Sequence, residues 1–185
     1  MNPDIKKDSA LGGEAKRQLV LDSAMAVVLR YGFQRTTMED VAKEAGISRP
    51  ALYLLFKNKT EIYRALADSV MGEALQRAGA ALSAKGGIEE RVFAAVKTGI
   101  LDPTEFLMAT AHGAELIDMK HNMAAEAMQD WRAKKAAMIA AALDKSGAAK
   151  PKGLSGAALA DILLDGMEGL KLRAATSAER EAGAR

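Results

Sequence analysis

Apolar side chains recur along this chain with the period of an α-helix and nowhere with the two-residue alternation of a strand. The first run covers Glu14 to Tyr31, where Val20, Ala24, Val27, Val28 and Tyr31 fall at i, i+4, i+7, i+8 and i+11, and Gly32 ends it. A short helix is expected after Thr37, because an oxygen-bearing cap followed three residues later by an acid satisfies free N–H groups of the first turn. It stops at Ala45-Gly46, since glycine enters the left-handed conformation beyond a helix end without steric cost. Ser48 caps a second short helix with Arg49-Pro50 in its first turn, where a proline loses no needed hydrogen bond. Val41, Ala42, Ile47, Leu52 and Phe56 are spaced so that two steeply crossing helices share one small core. That is a helix-turn-helix.

Asn58, with Glu61 three residues on, caps a long helix from Thr60 to about Leu82, carrying Ile62, Leu66, Ala67, Val70, Ala74 and Leu75 on one side. A stiff helix of this kind is expected to pass a shift at its far end to the turn motif as a tilt or slide. Gly86-Gly87 breaks it, and a further helix runs from Ile88 to Ile100. Asp102-Pro103 is expected to end that helix and open the next, Thr104 to about Lys120, with a break near Gly113. Met123 to Lys145 follows, stopped by Ser146-Gly147 and the loop Ala148 to Gly153, and Ser155 to Thr176 is the last helix. The expected fold is all-α. Residues 1–13 are expected to form a flexible arm, 14–59 a three-helix bundle containing the helix-turn-helix, 60–176 a second helical domain with 60–82 as connecting helix, and 177–185 a flexible tail.

Composition narrows the function by exclusion. Apolar residues are 49% and charged residues 27%, as in ordinary globular chains. Without cysteine there is no disulfide framework, thiolate nucleophile or sulfur-based zinc site. No Ser-His-Asp set with supporting context and no glycine-rich nucleotide loop is present, so an all-α enzyme lacks its parts. No run is long and apolar enough for a bilayer and the first residues lack the core of a signal peptide, so a cytoplasmic protein without a membrane partner is expected.

The net charge of +2 hides its distribution: residues 1–64 hold eleven Lys/Arg and eight Asp/Glu, while the rest hold fifteen and sixteen. From Gly46 to Thr60 there is no acid and there are three bases, Arg49, Lys57 and Lys59. The helix opening at Arg49 is therefore the candidate to enter a DNA major groove, with Ser48, Arg49, Pro50, Ala51 and Leu54 facing the bases. Arg49 suits guanine, and Leu54 a thymine methyl. Arg35 and Lys57 are candidates for phosphates, as are the helix N-termini of this region. Lys6 and Lys7 of the arm are weaker ones.

The same stretch resembles a known family. Val20-Leu21-Asp22 through Gly32-Phe33, then Thr36-Thr37, Val41-Ala42, Ala45-Gly46-Ile47-Ser48, Leu52-Tyr53, Phe56 and Lys59 are similar to the N-terminal domain of TetR-family transcriptional repressors. The resemblance covers about the first third of the chain, and beyond it only length and helical pattern fit. Leu54-Leu55 depart from the pattern, which usually has a polar residue there. The resemblance implies phosphate contacts at Thr37, Tyr53 and Lys59. It also implies that 60–176 is an effector-binding and dimerisation domain, giving a homodimer on a palindromic duplex, released by a small apolar or amphipathic molecule. The alternative is a helix-turn-helix adaptor answering to a protein partner.

The second half offers three candidate features. Leu159, Ile162, Leu163, Met167 and Leu170 stripe the last helix, and Gly166 and Gly169 suit a close helix approach, either inside one chain or across a two-fold interface. Phe93, Phe106, Met108, His112, Met119, Met128, Trp131 and Met138 are candidates to line a ligand cavity, or to be ordinary core. His112 with Glu115 and Asp118 with His121 share a one-turn spacing that a metal, a ligand or chance could explain. No metal or cofactor is expected.

Overall fold

The computed structural model describes residues 12–113, 115–116, 125–150 and 153–173; the expected arm residues Lys6 and Lys7, the pocket candidate Met119, the pair Asp118 and His121, and the tail 177–185 lie outside them. The helices are α1 Gly13–Tyr31, α2 Met38–Ala45, α3 Arg49–Leu55, α4 Lys59–Ser83, α5 Ile88–Val96, α6 Asp102–Met108, α7 Ala125–Ser146 and α8 Gly156–Arg173, and no strand occurs among the described residues. None is long and apolar enough to cross a membrane.

Local chemistry places the first boundaries. α1 ends at Gly32, whose φ of 81° a side chain rarely adopts and whose N–H donates to the Val28 carbonyl. Thr37 caps α2 reciprocally: its hydroxyl accepts from Asp40 N–H at 3.2 Å, and the Asp40 carboxylate accepts from Thr37 N–H at 2.9 Å. Gly46, left-handed at φ 64°, closes α2, and Ser48 Oγ accepts from Ala51 N–H at 3.2 Å to open α3.

The contacts divide the chain into two units, Met1–Val70 with Leu107–Ala124, and Met71–Phe106 with Ala125–Arg185. The division differs from the expected boundary at residue 59. Ile62, Tyr63 and Leu66 of α4 are buried with Val20, Val28, Val41, Leu52 and Phe56 in the core of the first unit, so that core claims the beginning of α4. The Tyr63 ring meets Phe33 edge-on at 4.6 Å, its hydroxyl donates to the Ala24 carbonyl, and burial pushes its phenol well above the usual range.

The second unit has its own core, built from Ala78, Leu82, Val96, Ile100, Leu101, Ile139, Leu143, Ala160, Leu164 and Met167. The expected stop at Asp102-Pro103 is not found. Residues Lys97–Leu101 form one π-helical turn in which Asp102 N–H reaches back to the Lys97 carbonyl, and α6 continues directly. Proline lacks the N–H that an unbroken α-helix would need, and the wider turn before it takes up the mismatch. Gly99 lies in this turn, and a Cβ there would stand 2.9 Å from Ala78 Cβ and 3.3 Å from the Ala74 carbonyl oxygen. Gly99→Val should therefore destabilise the protein by about 1–3 kcal/mol through overpacking against α4. An unchanged thermal midpoint would show that this crossing is loose.

α7 and α8 pair antiparallel, with Gly156 N–H donating to Asp144 Oδ1 at 2.8 Å and Arg132 Nη2 meeting Asp165 Oδ1 at 2.8 Å. This pairing corrects one expectation for the last helix. Met167 is buried in the core of its own chain, together with Leu164, which the stripe had not included. Leu159, Leu163 and Leu170 are half-buried beside that core, while Ile162 is 60% exposed. Among the described residues, no atom beyond its own helix comes within 4 Å of a Cβ placed on Gly166, so none of them explains that glycine as a close approach.

Candidate nucleic-acid interface

α3 has seven residues, too few to persist alone, and its inner face decides its orientation. Leu52 is fully buried, Phe56 is 1% exposed and Leu55 packs partly against the same core. That leaves Leu54 outside at 88% exposure, beside exposed Tyr53. The Leu54-Leu55 pair is thus split, one side chain out and one in. Ser48, Arg49, Pro50 and Lys57 are exposed with them, Ala51 is half-buried, and Thr37 and Arg35 are exposed on the preceding segment.

The charges around α3 are partly organised by the protein itself. Arg17 stacks over the Phe56 ring at 4.2 Å and donates to the Leu55 carbonyl at 3.3 Å, capping the end of α3 from α1. Arg49 Nη1 lies 3.7 Å from Glu39 Oε2, and its guanidinium carbon is 5.7 Å from the Tyr53 ring centroid. The Thr37 hydroxyl, then the Thr37 N–H, hold the Asp40 carboxyl below the ordinary carboxylate range. Asn58 Oδ1 accepts from Glu61 N–H at 2.9 Å and Glu61 Oε2 from Lys57 N–H at 2.7 Å, so these two amides already have partners.

Lys59 departs from the expected phosphate contact. Its ammonium donates to the carbonyls of Phe33, Gln34 and Thr36 at 3.1, 3.3 and 3.1 Å, and stands 4.5 Å from the Phe33 ring centroid. An ammonium has three donors, and all three point inward. Lys59 holds the α1–α2 loop. The other side of that loop meets Glu115, whose Oε1 accepts from Gln34 N–H at 3.1 Å and whose Oε2 would lie 2.7 Å from a Cβ on Gly32. His112 Nδ1 is 3.7 Å from Glu115 Oε2 and also borders Gly32. His112 and Glu115 therefore meet the loop from residues far along the chain, and no group of three metal-ligating side chains occurs among the described residues.

The remaining pocket candidates are not alike. Phe106 is 59% and Met108 52% exposed, so neither is buried in a cavity wall as expected, because the α6 turn that carries them presents them to solvent. Phe93, Met128 and Trp131 are half-buried, Trp131 lying under Lys134 at 4.6 Å, and Met138 packs against the second core. His112 belongs to the first unit. Sequence reasoning missed Glu39 beside Arg49, Arg17 on Phe56 and Glu115 on Gln34, three contacts between residues distant along the chain.

Residues 20–66 match the family model of bacterial regulatory proteins, tetR family. The HTH-type transcriptional regulator YfiR of Bacillus subtilis is 31% identical over 112 residues, which is 60% of this chain and 50% of that protein. The match thus spans about half of that relative's length. A transcriptional regulator from Pseudomonas aeruginosa PAO1 superposes with a TM-score of 0.68 at 19% identity, over 95% of this chain and 89% of that one. SmeT, the repressor of the Stenotrophomonas maltophilia multidrug efflux pump SmeDEF, does so at 0.63 and 19% over 95% and 86%; the SmeT–triclosan complex gives 0.61 and 21% over 92% and 85%. Those structures share the fold along nearly the whole chain, and the family model falls on the residues that build α1 to α3 and the start of α4. Residues 20–66 therefore carry the region described by the tetR-family model, and the chain is similar to TetR-family transcriptional regulators in sequence there and in fold beyond it.

Proposed function

We propose that this protein is a DNA-binding repressor that holds a palindromic operator as a homodimer and is released by a small apolar or amphipathic molecule. The observation that carries the DNA part is the two-sided character of α3. Its inner side is anchored by Leu52 and Phe56, while Leu54, at 88% exposure, stands out among Ser48, Arg49, Pro50 and Tyr53. A leucine so exposed on a helix held so firmly is suited to an external apolar surface, and a thymine methyl is one. Arg49 contacts guanine, Thr37, Tyr53, Arg35 and Lys57 meet phosphates, and Lys59 acts from within by holding the loop that carries Arg35 and Thr37.

The dimer rests on α8, where Ile162 and Gly166 face outward and a second copy would cover them. Two α3 helices one DNA turn apart, about 34 Å, then meet a palindrome. Release by ligand draws on the fold shared with SmeT, which forms a triclosan complex. A ligand does this only by binding the two states of the dimer unequally.

Selection of duplexes from a random pool tests the whole proposal, since palindromy and half-site spacing report dimer geometry together with binding. Lys57→Ala should weaken all duplexes alike and lower the log–log salt slope by about one, whereas Arg49→Ala should cost about 1–3 kcal/mol of discrimination at one base. Failure to bind any duplex at low ionic strength would end the proposal. A thermal-shift screen of small apolar molecules, triclosan included, tests the ligand part; no stabilisation would leave the protein-partnered adaptor.

A further inference from the structure

α2 carries three acids on its short length, and two are occupied elsewhere. Asp40 is bound into the Thr37 cap, and Glu44 meets Arg30 at 3.5 Å. Glu39 instead turns toward α3, where its Oε2 lies 3.7 Å from Arg49 Nη1. The Tyr53 ring flanks the same guanidinium. The base-facing arginine is therefore held between a carboxylate from one helix of the motif and an aromatic ring from the other. A long exposed side chain without such supports samples many rotamers, and ordering it on each encounter opposes binding.

We propose that Glu39 is a positioning residue for base recognition, holding Arg49 by one edge of its guanidinium so that the other edge is presented to a guanine. The proposal rests on the contact assigned above to Arg49. The chemistry permits it, because a guanidinium has five N–H donors in a planar fork. One edge can stay on a carboxylate while another donates to guanine O6 and N7. The carboxylate also repels every phosphate near it, whatever the sequence. Glu39 thus acts in opposite directions on two observables, raising discrimination and lowering affinity for DNA in general.

The test uses the full chain and a duplex selected from a random pool by the unaltered protein, that duplex with each base pair changed in turn, and a random-sequence duplex at the same salt. Glu39→Ala should tighten the random-sequence duplex and reduce discrimination at the base pair read by Arg49, each by roughly two- to fivefold, the scale of one exposed charge pair. Glu39→Gln, which keeps an oxygen acceptor, should recover most of the discrimination but not the lower general affinity. In an Arg49→Ala background, Glu39→Ala should change discrimination no further. Unaltered discrimination in Glu39→Ala, or a loss that persists without Arg49 or falls at another base pair, overturns the positioning role and leaves the Arg49 contact standing. If Arg49→Ala itself changes no base preference, the Arg49 contact fails and the positioning role falls with it.

Discussion

Phe56→Ala is expected to cost the first unit about 3–5 kcal/mol of unfolding free energy, the range for removing a buried aromatic ring. Phe56 is 1% exposed and stands where α3 ends, its N–H donating to the Leu52 carbonyl. It anchors more than its own volume. The Arg17 guanidinium rests on the ring at 4.2 Å and from there reaches the Leu55 carbonyl, so loss of the ring also removes the platform for that cap. α3 has too few residues to hold its shape once its inner face opens into a cavity. Urea unfolding should show an earlier midpoint with little change in slope, and DNA affinity should fall with it. Phe56→Leu, which refills most of the space, should stay within about 1.5 kcal/mol. A midpoint unmoved by Phe56→Ala would mean that Leu52 alone seats the helix.

What was legible in the sequence is what local chemistry decides. Thr37, Gly46, Ser48 and Asn58 act on backbone groups within a few residues, and each does so at the expected place. Apolar period also gave the core of the first unit, because α2 and α3 are short and Val20, Ala24, Val27 and Val28 of α1 line one narrow apolar face. α8 was harder for the opposite reason. Its apolar face is wide, and only contact with α7 decides that Leu164 and Met167 point in while Ile162 points out. Asp102-Pro103 looked like a stop because proline breaks the regular ladder, yet a π turn before it keeps the chain helical. Exposed Phe106 and Met108 show that apolar type alone does not place a side chain in a cavity wall. Glu115 could be paired with His112 by spacing, but its partner Gln34 is 81 residues away, beyond any periodic signal.

Lys59 gives the sharpest contrast between residue type and role. A lysine in an acid-free, basic run suggests a phosphate, and Lys59→Ala would then lower the salt slope by about one, as expected for Lys57→Ala. The geometry leads elsewhere. The carbonyls of Phe33, Gln34 and Thr36 converge on its ammonium, while buried Thr36 donates its hydroxyl to the Gly32 carbonyl at 2.8 Å. Lys59 and Thr36 together satisfy four carbonyl groups of one tight loop. Lys59→Ala leaves three of them without their charged donor, and water can reach only part of that space, so a loss of about 2–3 kcal/mol is expected. DNA affinity should fall steeply, because the loop positions Arg35 and the Thr37 cap. The salt slope of the protein that remains folded should stay as it was, since no phosphate contact has gone. Lys59→Arg should recover little of either, because a planar fork cannot meet three carbonyls arranged around a point charge. Unfolding free energy and salt slope measured on the same preparation decide the matter: a lower slope with unchanged stability would return Lys59 to the DNA surface.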